Sequence, residues 1–195
     1  LAPPATAPPA LITFVADLVA NAVAANPASV TSSTIILDSQ TGINAPNGNI
    51  VVFGGQIQIN NSSITAANGT IAIGREGYSI GSLSHLTAVS NSTLIANKVE
   101  TSGNLLGTDG VVVLAAEWLL DPTNVTIGTT STTGTLAGDL ANAGVTNIKA
   151  SDIVGAVNAG GTVSVIATGS ITQSAALAFA PAAGVTGTLT LDNRT

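Results

Sequence analysis

Cysteine is absent from this chain, which excludes a disulfide framework, thiolate metal sites and a cysteine nucleophile. Methionine is absent too, so the chain reads as a mature product or an internal segment rather than a whole translated reading frame. Aromatic residues make up 3% and charged residues 7%, where an ordinary globular domain is roughly a quarter charged. The four cations, Arg75, Lys98, Lys149 and Arg194, are scattered through a chain of net charge −6. Nucleic-acid binding needs clustered Lys and Arg to neutralise phosphates, so nucleic acid and anionic membrane are set aside as partners. No long apolar run offers membrane insertion. The stretch from Leu11 to Ala25 lacks a basic leader, contains Asp17 and Asn21, and is short for a span. It reads as a short buried helix or an apolar cap, behind a Pro-rich extended linker at residues 1–10.

What remains is 45% hydrophobic, with a mean hydropathy of +0.52. Solubility must therefore come from Ser, Thr, Asn, Gln and the backbone, and the core from Val, Ile, Leu and Ala. Such side chains suit narrow spaces between closely packed sheets. From about Val30 onward, short β-branched runs recur, each closed by Asn, Gly, Ser or Asp. The leading residues Ile50, Ile57, Ile64 and Ile71 are spaced by seven. The residues between them are poor helix formers, which excludes a helical heptad. Strands of three to five residues joined by short turns fit instead, and three steps make a coil of about 21 residues. Each coil then stacks on the last through parallel backbone hydrogen bonds, with Ile50 directly below Ile71. Turns such as Asn47-Gly48, Asn60-Asn61 and Asn68-Gly69 supply left-handed corners.

The pattern continues through Thr93–Ile95, Val111–Leu114, Val125–Ile127, Val163–Val165, Ile171–Thr172 and Leu189–Leu191. About eight coils fit, a rod of roughly 40 Å at strand spacing. An antiparallel sandwich is the competing fold, since its short strands also recur every 8–12 residues. Residues 128–147 are rich in Thr and Gly and read as a loop. A short helix is expected near 151–159, with Ser151 as N-cap, Ile153, Val154 and Val157 as its apolar face, and Gly160 as its stop. The expected organisation is thus a linker and apolar cap over 1–26, then an all-β, parallel β-helix segment over 27–195.

Several phrases resemble the filamentous-haemagglutinin-like exoproteins of Gram-negative bacteria, which include large adhesins of two-partner secretion. The most specific is Glu117-Trp-Leu-Leu-Asp-Pro-Thr-Asn-Val-Thr-Ile127. With it go Val99-Glu-Thr-Ser-Gly103, Thr108-Asp-Gly-Val-Val-Val113, Asn68-Gly-Thr-Ile-Ala-Ile-Gly-Arg75 and the unit from Ser151 to Val165. The resemblance spans roughly residues 45–175. It implies a right-handed β-helix, exported unfolded through an outer-membrane pore and displayed as an adhesive shaft toward a cell surface or glycan. Paired Asn-Pro-Asn motifs of the family's secretion domain are missing, and Asn44-Ala-Pro-Asn-Gly48 is a loose echo only. A second expectation, of another class, is an extracellular filament subunit that joins end to end.

Chemistry-bearing residues are few. Trp118 beside Asp121-Pro122 suits either a structural plug or a sugar-stacking ring, and the flanking Leu119 and Leu120 favour the plug. His85 has no nucleophile-elbow motif near it and reads as a polar turn residue. Arg75-Glu76 reads as a local ion pair at an exposed turn. Polysaccharide-active β-helices need clustered acids, and none of the ten here forms an i, i+2 pair. Glu100 and Asp121, 21 apart, are the pair that one coil would bring together. Asn61, Asn68, Asn91 and Asn124 begin Asn-x-Ser/Thr sequences and are candidate glycosylation acceptors, although Asn has its own reason to occupy turns. No catalytic, cofactor or metal residues are assigned.

Overall fold

The computed structural model describes residues 11–15, 34–38, 42–131 and 146–194. The expected linker at 1–10, most of the apolar segment and residues 132–145 of the expected loop lie outside these. Along the chain run β1 (Leu11–Val15), β2 (Thr34–Leu37), β3 (Gly42–Asn44), β4 (Asn49–Phe53), β5 (Gln56–Asn60) and β6 (Ser63–Ile73). Next come β7 (Arg75–Gly77), β8 (Ile80–Leu83), β9 (Leu86–Ser90), β10 (Thr93–Gly103), β11 (Leu105–Asp109) and β12 (Val112–Pro122). They are followed by β13 (Val125–Gly128), β14 (Thr146–Lys149), helix α1 (Ala150–Asn158), β15 (Thr162–Ala167), β16 (Ile171–Gln173) and β17 (Thr188–Asn193).

The molecule is all-β with one helix, and its two large sheets are parallel. The first runs β1-β4-β6-β10-β12-β15-β17, with β3 also on β6, and the second runs β16-β13-β14-β11-β9-β5-β2. An antiparallel sandwich is thereby excluded. Among the described residues, β7 and β8 form the one antiparallel pair. Parallel neighbours need a crossover connection. Here the crossover is a strand of the opposite sheet, so the connecting turns shrink to Gly54-Gly55 between β4 and β5 and Asn61-Ser62 between β5 and β6. Seven strands deep, each sheet extends about 29 Å at ~4.8 Å per strand.

Inward positions form columns from strand to strand. Ile50 pairs with Ile71, Ile71 with Val99, Val99 with Trp118, Trp118 with Val163 and Val163 with Leu189. Ile57 pairs with Ile35 and Thr87, and Ile64 with Ile43 and Leu94. Ile50, Ile57, Ile64 and Ile71 are all fully buried, each contributing about 1.5–3 kcal/mol before the entropy cost of ordering. Ile64 and Ile71 lie on the same strand yet both point inward, although an odd separation normally sends side chains to opposite faces. The parity changes across the exposed Ala67-Asn68, where β3 and β4 of the neighbouring level are parted by the turn at 45–48. Asn68 therefore lies within β6, not at a left-handed corner, and Nδ2 of Asn68 donates to Asn47 at 2.9 Å.

One level does not always take 21 residues. The column from Ile50 to Leu189 advances by 21, 28, 19, 45 and 26 residues in turn. The step of 28 contains the β7–β8 hairpin. The step of 45 contains a detour: β13 is laid down one place beyond β11, and β14 then fills the gap between them. Thr146 and Asn147, expected in a loop, are thus the start of a strand.

Asn61 (φ 48), Asn91 (φ 46) and Gly110 (φ 68) stack as one left-handed corner, linked by backbone bonds from Asn61 N to Ser90 O and from Asn91 N to Asp109 O. Asn tolerates this conformation better than other side chains. Helix α1 closes the column, and the Asp152 carboxylate accepts from the N–H groups of Gly110 and Val111 at 3.2 and 3.4 Å. This corrects the expected N-cap. Lys149 occupies that position with no side-chain cap, because β14 feeds straight into the helix and leaves Ser151 inside its first turn. Ile153 and Val157 are buried as their spacing predicts, Val154 is half-buried, and the helix ends before Gly160. The other correction is at the start: Leu11–Val15 is an extended strand paired with β4, not a helix.

Candidate functional site, an ion cluster beneath a hairpin

The chain leaves β6 through Gly74, whose φ is +85 and whose hypothetical Cβ would lie 1.8 Å from the carbonyl oxygen of Ser102. Only glycine lets the backbone pass this close to β10. The turn carries the β7–β8 hairpin over the ends of β10 and β12. Arg75 Nη1 there donates to Glu100 Oε1 at 3.2 Å and to Asp121 Oδ2 at 2.8 Å. Glu100 has 0% side-chain exposure. Ser102 Oγ donates to its Oε1 at 2.6 Å, and the Ser79 N–H donates to its Oε2. Beside this core, Lys98 pairs with Glu117 at 2.9 Å and stands 5.3 Å from the centroid of the Tyr78 ring.

Burial pushes the Glu100 carboxyl above its usual range, opposed in part by Ser102, Ser79 and Arg75. Burial, reinforced by the Glu117 carboxylate, pushes the Tyr78 phenol up, and its hydroxyl is shut off from solvent without a well-formed hydrogen bond. The Glu117 carboxyl is lowered, first by Lys98 and then by Tyr78. Two carboxylates on one guanidinium, roofed by a hairpin, form a clasp. Glu100 has no open path to a substrate in this geometry.

Arg75 thus corrects the expected local pair with Glu76. Its partners are 25 and 46 residues away, while Glu76 instead accepts from the Ser82 N–H at 2.8 Å. Glu100 and Asp121 do meet through Arg75, although the register aligns Glu100 with Leu119 and Ser102 with Asp121, because that level takes 19 residues. No spacing rule in the sequence could find this trio. The signal was an acid and a serine set among buried β-strand residues at Val99–Ser102.

Trp118 is 1% exposed, and its Nε1 donates to Thr101 Oγ1 at 3.0 Å, so the ring fills the interior and offers no face to a sugar. Pro122 is buried at the end of β12. His85 is exposed at a turn. Among the candidate glycosylation acceptors, Asn61, Asn68 and Asn91 are exposed. Asn124 is half-buried, its side-chain oxygen accepting from Ser170 N at 2.9 Å. Asn91 Nδ2 reaches Asn60 at 3.4 Å. Asn68, Asn91 and Asn124 thus each tie one level to another.

A second ionic group lies near α1. Lys149 pairs with Asp109, which raises the ammonium pKa, and burial raises that of Asp152. An open groove of about 470 Å³ runs between Lys149, Val154 and Ala175, and a smaller one of about 270 Å³ lies between Val112, Leu114 and Gly155. Among the described residues, no group of three or more His, Asp or Glu could hold a metal ion. No helix of the described residues is long and apolar enough to cross a membrane. Compared with known proteins, the chain matches no family model, no curated protein and no solved structure.

Proposed function

We propose that this chain is a segment of a right-handed parallel β-helix that serves as the structural shaft of a secreted or surface-displayed bacterial adhesin, related to the filamentous-haemagglutinin-like exoproteins. One observation carries the reading: an unbroken column of inward residues passes from Ile50 to Leu189 through successive parallel strands. The chain also alternates between two parallel sheets with short turns, as one winding around a tube does. Right-handed winding follows from the strong bias of parallel crossovers toward that hand. Stability in such a shaft comes from each level resting on its neighbours, not from a central core.

The function is mechanical, to hold an adhesive surface away from the cell. Sparse charge and a polar exterior of Ser, Thr and Asn suit contact with a glycan or a cell surface. Export as an unfolded chain through an outer-membrane pore is supported by the lack of cysteine, since a periplasmic disulfide would obstruct threading. Beads coated with the chain should adhere to host or neighbouring cells, or to members of a glycan array, more than uncoated beads do. No adherence on any surface would remove the adhesive role. The tube itself is checked by infrared spectroscopy, and an amide I band of antiparallel type would remove it.

A further inference from the structure

At one end of the molecule β17 pairs with β15 and β16 pairs with β13, each along one side only. Leu189 and Leu191 continue the columns of Val163 and Val165. Val163 and Val165 are 0% exposed, yet Leu191 is 42% exposed. The next level is what Leu191 lacks. The edge of Thr188–Asn193 carries no proline, lysine or bulge, the usual devices that stop another strand from adding.

At the opposite end of the same sheet, β1 pairs with β4 and places positions 12 and 14 in register with Ile50 and Val52. From position 12 the register runs through Ile50, Ile71, Val99, Trp118 and Val163 to Leu189. From position 14 it runs through Val52, Ile73, Thr101, Leu120 and Val165 to Leu191. The same two columns therefore end on Ile12 and Phe14 at one pole and on Leu189 and Leu191 at the other. The β1 sequence, Leu-Ile-Thr-Phe-Val, is uncharged and rich in strand-forming residues. Each sheet is seven strands deep, so neither has a strand in excess at the poles.

We infer that the free edge of β17 is the docking site for β1 of a second copy of this chain, paired in parallel with position 12 beside Leu189 and position 14 beside Leu191. The inference rests on the wound-tube reading but not on the adhesive role. Because all strands of the sheet run the same way, the join is head-to-tail, leaves a free edge at each pole and propagates. A slip of one residue would bring Thr190 into an apolar column, which fixes the register.

Sedimentation velocity on the full chain across a concentration series tests this. The expected result is a concentration-dependent ladder of oligomers, with Leu191→Lys and Phe14→Lys each weakening association at least about tenfold. Each variant keeps the edge that the other has lost, so an equimolar mixture should form dimers and nothing longer. Because the chain has no cysteine, Ile12→Cys and Leu189→Cys give an independent readout. Mixed under oxidising conditions, they should form a disulfide-linked dimer, since neighbouring strands bring Cα atoms within bridging range. This serves even if a lysine variant fails to fold. A folded wild type that stays monomeric, oligomers indifferent to both lysines, chains longer than dimers in the mixture, or no cross-link would each overturn the docking while leaving the tube intact. An antiparallel amide I band would overturn both.

Discussion

At the scale of single residues, the clasp of Arg75, Glu100 and Asp121 sets the sharpest expectations. Removing one partner of a buried ion pair leaves the other charge uncompensated, at a cost of about 3–5 kcal/mol. Arg75→Ala should lose most of that in urea denaturation, although Asp121, itself partly exposed, cushions the effect. Glu100 carries a pH signature with a definite sign. Its pKa is raised in the fold by burial, so its stabilising contribution is full below its unfolded pKa of about 4.3 and is lost as pH rises through the folded value. Glu100→Gln removes that dependence, so the variant should gain stability relative to wild type between about pH 4 and pH 7. Equal pH slopes for the two proteins would contradict this. Trp118→Ala should cost about 3–5 kcal/mol through the cavity it leaves, together with the orphaned Thr101 hydroxyl. The sequence showed that Trp118 sits among leucines at a turn, which was enough to favour a plug. The clasp was not legible, because its members are brought together by how many residues each level consumes, and the hairpin after Gly74 resembles an ordinary polar turn.

At the scale of elements, the β7–β8 hairpin is an insertion in one level, and the level above it manages with 19 residues. Replacing residues 75–83 by a short turn should therefore keep the parallel sheets, seen as an unchanged far-UV dichroism spectrum. Glu100 would then meet solvent, and its pKa, followed by carboxyl carbon NMR, should fall. An unchanged titration would mean that the hairpin is not what desolvates it. Sequence periodicity resolved the level from Ile50 to Ile71 because nothing interrupts it there. It underestimated the next level, where the hairpin stretches the spacing to 28, and lost the column between Trp118 and Val163. The helix was visible in Ile153, Val157 and Gly160, since its apolar spacing and stop signal are local. Its start was hidden, because a strand running directly into a helix leaves no capping side chain to recognise.

At the scale of the whole molecule, the columns divide stability unevenly. Interior levels have a neighbour on both sides, whereas the level of β16 and β17 has one, so hydrogen exchange should be fastest there and slowest around β10 and β12. Uniform protection along the stack would argue against levels that depend on their neighbours. The transposed order of β13 and β14 has a further bearing on how the molecule is assembled. A tube wound in strict succession can zip up from its first turn as each new length of chain appears. Here the second wall cannot close behind β11 until residues 146–149 arrive to act as a keystone, and β13 must wait without its neighbour. Chain emerging in sequence should pause at that point, and a truncation ending just after Gly128 should hold its upstream levels while leaving its last strand unanchored.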